Sequence, residues 1–135
     1  RSNIISPLQW TSLSPPLTLI ATFSHELSHY LLLTNDTERL GSVEDEEFLT
    51  DLLSIASGFG LFLANARFNF SQHGDAISQG WRYSGAGYLT EGEIIYALSM
   101  FNKRYGHNSD QLEKYLKSNL FKLLKKSEKY LSSGK

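Results

Sequence analysis

Residues 17–33, LTLIATFSHELSHYLLL, constrain this chain's fold more than any other stretch. The run has helical length, contains neither proline nor glycine, and is apolar on most sides, which predicts a central, buried helix. Ser14-Pro15-Pro16 supplies a start signal, because serine caps and proline is tolerated in a first turn whose N–H groups lack partners anyway. The only acidic or basic groups in the run are His25, Glu26 and His29. Burying three such groups in an apolar helix is costly unless they are paired or bound to a metal.

Their spacing matters more than their number. His25-Glu26-Leu27-Ser28-His29 is an H-E-x-x-H arrangement. On a helix, histidines four residues apart project from one face and reach a single zinc ion, with the glutamate beside the open position where a bound water would be activated. Such a site needs a third protein ligand. The chain has no cysteine, so a disulfide scaffold and a thiolate site are both excluded and any further ligand is His, Asp or Glu.

A second helix is predicted over residues 42–66, with acidic first turns that suit the positive end of its dipole. Gly58 and Gly60 weaken it, each by about 1 kcal/mol relative to alanine, and mark a bend or a close packing contact. At about 100° per residue, Glu44, Glu47, Asp51, Ile55, Gly58 and Phe62 share one face. Glu46, Thr50 and Ser57 fall on a more polar one. Glu47 points with the buried stripe and Glu44 is its rival as third ligand. Asp51, one turn beyond Glu47, is placed to accept a hydrogen bond from the second nitrogen of a metal-bound histidine.

With these two helices in view, the chain resembles the gluzincin metallopeptidases, the thermolysin-like clan, which pair H-E-x-x-H with a downstream E-x-x-x-D helix often written N-E-x-x-S-D. Here the second motif reads Glu46-Glu47-Phe48-Leu49-Thr50-Asp51, with threonine in place of serine. The resemblance covers residues 17–66. It implies a zincin-like helical core and zinc held by His25, His29 and Glu47. It further implies Glu26 as general base, Asp51 behind a ligand, and a peptide or protein substrate. In that clan a small sheet precedes the motif helix. Only sixteen residues precede Leu17 here, so a minimal or fragmentary member with at most a small β element is expected.

Residues 67–89 read as a long loop with a short strand near 67–70, and long loops in compact domains often line or cover a site. Candidates to stabilise an oxyanion are His73 first and Tyr83 second, then Arg82, Tyr88 and His107. Trp81 and Tyr88 are expected to anchor the loop to the core. Thr90-x-x-Glu93 is a capping box opening a third helix, which Gly106 stops. A fourth helix is expected from Asn108 or Ser109 to Leu131, with an apolar stripe from Leu112 to Leu124 and a solvated lysine face.

At 135 residues the chain suits one domain, 1–135, which buries roughly two-thirds of its unfolded surface. Beginning at Arg1 rather than Met, it reads as part of a longer protein. A net charge of -1 argues against nucleic acid or an anionic membrane as partner. The most apolar run, residues 52–64, is shorter than the roughly 20 residues a bilayer needs. Absence of cysteine fits a cytoplasmic setting; oligomeric state is not legible. The expected class is therefore a mainly α zinc metallopeptidase with two metal-bearing helices and two C-terminal helices. The alternative is a non-catalytic zinc-binding regulatory or interaction domain on the same scaffold.

Overall fold

The computed structural model describes residues 16–35, 42–73 and 88–134, apart from the side chains of Glu44 and of residues 69–73. These residues form helices joined by turns, and no strand occurs among them. In chain order they are α1 (Pro16–Thr34), α2 (Val43–Ser54), a π-helical turn (Ile55–Phe59), α3 (Gly60–His73), α4 (Glu91–Tyr105), a 3-10 turn (Ser109–Leu112) and α5 (Ser118–Ser132). Helix α1 packs on α2 and α3, α3 on α4, and α4 on α5. The core gathers Ile55, Leu63, Ala64, Leu89, Ile94, Ile95, Leu98, Leu120 and Leu124.

Helix α1 sits the other way round from its sequence expectation. Its buried residues are Ala21, Ser24, His25 and Ser28, while Phe23, Leu27 and Tyr30 are 65%, 52% and 61% exposed. The inward face is small and hydroxyl-rich because it meets another helix closely. The Ser54 hydroxyl of α2 donates to Ser24 Oγ at 2.8 Å, and Ser24 and Ser28 donate to the α1 carbonyls of Ala21 and Ser24 at 2.8 and 2.7 Å. Every buried hydroxyl is thereby paired, as burial requires. Close approach of α1 to α2 is what brings the histidines to the acidic residues of the second helix.

Ser42 caps α2 through a reciprocal box with Asp45. The two glycines that follow have separate roles. Gly58 adopts φ +97°, which interrupts the helical run inside the π turn, so the bend falls there. Gly60 is the packing contact: a Cβ on it would lie 3.1 Å from Leu98 Cδ1 and 3.2 Å from Ile55 Cγ2. Beyond them α3 continues to His73, overturning the expected end at residue 66 and the short strand at 67–70. No proline or glycine interrupts residues 61–73, and burial of Leu63, Ala64 and Arg67 holds this side of the helix against the fold. Tertiary packing outweighs the β-propensity of the phenylalanines.

The run Asp45–Phe68, taken through the bend, is long and apolar enough to cross a membrane by length and composition alone, which the 13-residue apolar stretch within it did not suggest. It also carries Glu47, Asp51 and Arg67, which the fold uses internally.

Helix α4 starts and stops where the sequence indicates: Thr90 and Glu93 form the capping box, and Gly106 closes the helix at φ +68°. The last segment does not form one helix. Asn108 caps a 3-10 turn by accepting from the Asp110 N–H at 2.9 Å, and α5 begins only at Ser118. The intervening break is held from α3 by Asn65, which donates to the Tyr115 carbonyl at 2.8 Å and accepts from the Lys117 N–H at 3.3 Å. One side-chain amide thus replaces backbone bonds that a continuous helix would have made.

Gly58→Ala places an L side chain in left-handed backbone and is expected to cost about 1–2 kcal/mol in urea denaturation. Hydrogen bonds from Thr90 hold the Glu93 carboxyl below its usual range, so its stabilisation is present above the unfolded pKa and lost as pH falls through the folded one. Thr90→Ala is therefore expected to cost about 1 kcal/mol near neutral pH, and less in acid.

Candidate metal centre

His25 and His29 lie one turn apart on α1, and Glu47, Thr50, Asp51 and Ser54 lie on the facing side of α2. The two Nε2 atoms are 3.1 Å apart, and Glu47 Oε2 is 3.2 Å from His25 Nε2 and 3.4 Å from His29 Nε2. Three ligand atoms thus form a nearly equilateral triangle, and the two imidazole rings meet edge-on at 82°. Tetrahedral zinc ligands at about 2.0–2.1 Å subtend edges of about 3.3–3.4 Å, so the triangle has the size such an ion requires.

The outer partners decide which atoms are donors. Asp51 Oδ1 accepts from His25 Nδ1–H at 2.9 Å, leaving Nε2 with its lone pair. On the second histidine, Nδ1 lies 3.3 Å from Thr50 Oγ1, whose own hydroxyl proton is given to the Glu46 carbonyl at 2.7 Å. Thr50 therefore accepts, and the His29 Nε2 lone pair also points at Glu47. These tautomers follow from the hydrogen-bond network. Glu47 Oε2 is buried and has no hydrogen-bond partner. Three potential ligand atoms thus converge within 3.4 Å of one another, an arrangement that a cation between them would satisfy. The donor set fits a divalent metal ion, and His25, His29 and Glu47 would hold it.

Asp51 is 0% exposed and satisfies more than the histidine. Its Oδ2 accepts from Arg67 Nη2 at 3.3 Å and from the Leu89 N–H at 3.0 Å. Arg67, 7% exposed, comes from α3, and Leu89 from the segment preceding α4, so one carboxylate ties α1 and α2 to both later parts of the fold. Neighbouring Tyr88 lies 5.6 Å from the His25 ring and 5.1 Å below the Arg67 guanidinium. Burial raises its phenol above the usual range, helped by the Glu47 charge, a hydrogen bond to Glu47 and the Asp51 charge, with Arg67 opposing.

Of the residues singled out from sequence, His25, His29, Glu47 and Asp51 come together here. Glu26 is on α1 beside them and is exposed, not buried with the histidines as the helix pattern implied. Thr50 was assigned to a polar face, yet it is fully buried against His29; its i+3 spacing from Glu47 was the usable signal. Tyr88 does more than anchor a loop, since it touches the centre. Arg67 was missed. His107 stacks with Phe101 at 5.7 Å and does not join the cluster. His73 ends α3 with its side chain outside the described residues, as are the side chain of Glu44 and all of Trp81, Arg82 and Tyr83.

No family model, curated protein or solved structure matches the chain. Fold and site define it as a mainly helical domain with a buried His–His–Glu cluster able to coordinate a metal ion. Asp51→Leu removes the buried carboxylate that accepts from His25, Arg67 and the Leu89 N–H, and is expected to cost about 3–5 kcal/mol by chemical denaturation. A shift below 1 kcal/mol, on the order of a surface substitution, would refute the junction described for Asp51.

Proposed function

We propose that this chain is a zinc-dependent hydrolase, a gluzincin-like metallopeptidase acting on peptide or protein substrates. The observation that carries the reading is the buried, hydrogen-bond-free Glu47 Oε2 held between two imidazole nitrogens. Two imidazoles and one carboxylate are a donor set suited to zinc, with a fourth position left for water. An ion bound there supplies Lewis acidity, polarising a carbonyl and acidifying water.

The chain's own groups account for the rest. Asp51 and Thr50 fix both histidines so that each presents Nε2. Glu26 follows His25 on α1 and lies about 60° around the helix from His29. It is open to solvent, as a group that exchanges protons with water must be. Its carboxylate takes a proton from the attacking water and returns it to the leaving amide nitrogen as the C–N bond breaks. The Asp51 contact orients the His25 ring so that its Nε2 faces His29 and Glu47.

Metal analysis of the purified chain is expected to find one equivalent of zinc, lost in His29→Ala. Glu26→Gln is expected to retain the zinc and abolish cleavage of a peptide library. An active Glu26→Gln protein would remove Glu26 from its assigned role. Stoichiometric zinc with no cleavage by the unaltered chain would instead favour a non-catalytic, metal-stabilised interaction domain.

A further inference from the structure

We propose that Arg67 is a positioning residue of the metal centre, fixing the His25 ring through Asp51 and Tyr88 so that Nε2 is aimed before an ion arrives. This inference rests on the metal-centre reading above and assigns a role to a residue outside both sequence motifs.

The His25 ring is supported at two places. Its Nδ1–H donates to Asp51 Oδ1 at 2.9 Å, and its centroid lies 5.6 Å from that of the Tyr88 ring. Arg67 contacts both supports. Its Nη2 donates to Asp51 Oδ2 at 3.3 Å, while its guanidinium carbon lies 5.1 Å over the centre of the Tyr88 ring. This side chain is buried and comes from α3, sixteen residues beyond Asp51 and past the Gly58 bend. His29 has a separate support in Thr50, so the effect of Arg67 falls on His25.

A carboxylate held at one oxygen alone turns about its last side-chain bond, since that torsion is broad. The imidazole bonded to it would turn as well. Here Oδ2 is pinned from two elements, by Arg67 and by the Leu89 N–H at 3.0 Å, so the plane of Asp51 is set and Oδ1 stays facing His25. A planar cation that stacks and hydrogen-bonds at once is needed for both contacts, which a lysine does not supply. Orienting a ligand in advance raises affinity without adding a metal–ligand bond. Charge alone acts the other way. A cation close to a bound ion repels it, so removing Arg67 would tighten binding if charge were all it contributed. Positioning predicts weaker binding, and the sign separates the two.

The test is a cobalt(II) titration of the full chain followed by visible absorption, with chelator competition for affinity and a melting curve for each variant. Arg67→Met removes the guanidinium and keeps an apolar stem, whereas Arg67→Lys keeps the charge. Arg67→Met is expected to bind cobalt roughly 10- to 100-fold more weakly and to shift the ligand-field bands. Arg67→Lys is expected to weaken binding in the same direction, and it alone decides the matter if Arg67→Met does not fold. Unchanged or tighter binding by Arg67→Met would overturn the proposal. Full affinity with an unaltered spectrum in Arg67→Lys would do the same. A lower melting temperature in both variants with unchanged cobalt binding would reduce Arg67 to a structural role and overturn it equally. Failure of the unaltered chain to bind cobalt or zinc would instead overturn the metal-centre reading, and this inference with it.

Discussion

Asp51 is a carboxylate without solvent contact, and the arrangement around it follows from the need to give its oxygens donors. An unpaired charge in that position would cost several kcal/mol or more. Asp51 has three donors instead: an imidazole from α1, a guanidinium from α3 and a backbone amide from the segment before α4. Each comes from a different part of the chain, so satisfying one side chain fixes the relative placement of α1 and α2 and the helices that follow. His25 acquires its tautomer, and so its capacity to ligate, from the same contact that helps hold the fold together.

The α1–α2 interface makes that placement possible. Serines and an alanine line it where a bundle would ordinarily pack leucines, and they let two helices approach until paired hydroxyls bridge them. Large side chains at Ser24, Ser28 or Ser54 would separate the helices and open the ligand triangle. One consequence is that the bulkier apolar residues of α1 face away from the core. The hydrophobic core is built mainly where α3, α4 and α5 bury leucines and isoleucines together, and Ala21, Ile55 and Leu89 join it from the side of the cluster.

Local signals were read well where one residue decides one local outcome. Thr90, Glu93 and Gly106 bound α4 as their chemistry dictates. Gly58 and Gly60 were legible as a bend and a contact, though not which was which. The last helix was misread because its interruption depends on Asn65, fifty residues upstream of the carbonyl it binds. Extension of α3 to His73 was likewise invisible to propensity, since burial against the fold maintained it.

By itself the sequence determined the chemistry that is local: two histidines one helical turn apart with a glutamate between them, and a second acidic pair at helical spacing. That was enough to point to His25, His29, Glu47 and Asp51, because a helix converts spacing into a shared face whatever surrounds it. Only the tertiary structure decided that α1 turns its small face inward, that Thr50 lies behind His29, and that Arg67 and Tyr88 reach the same cluster. Arg67 in particular could not be placed from Asp51 by counting residues, since the π turn and the left-handed Gly58 reset the helical register between them. A face can be read through a regular helix; it cannot be read across a break, where packing alone sets the angle.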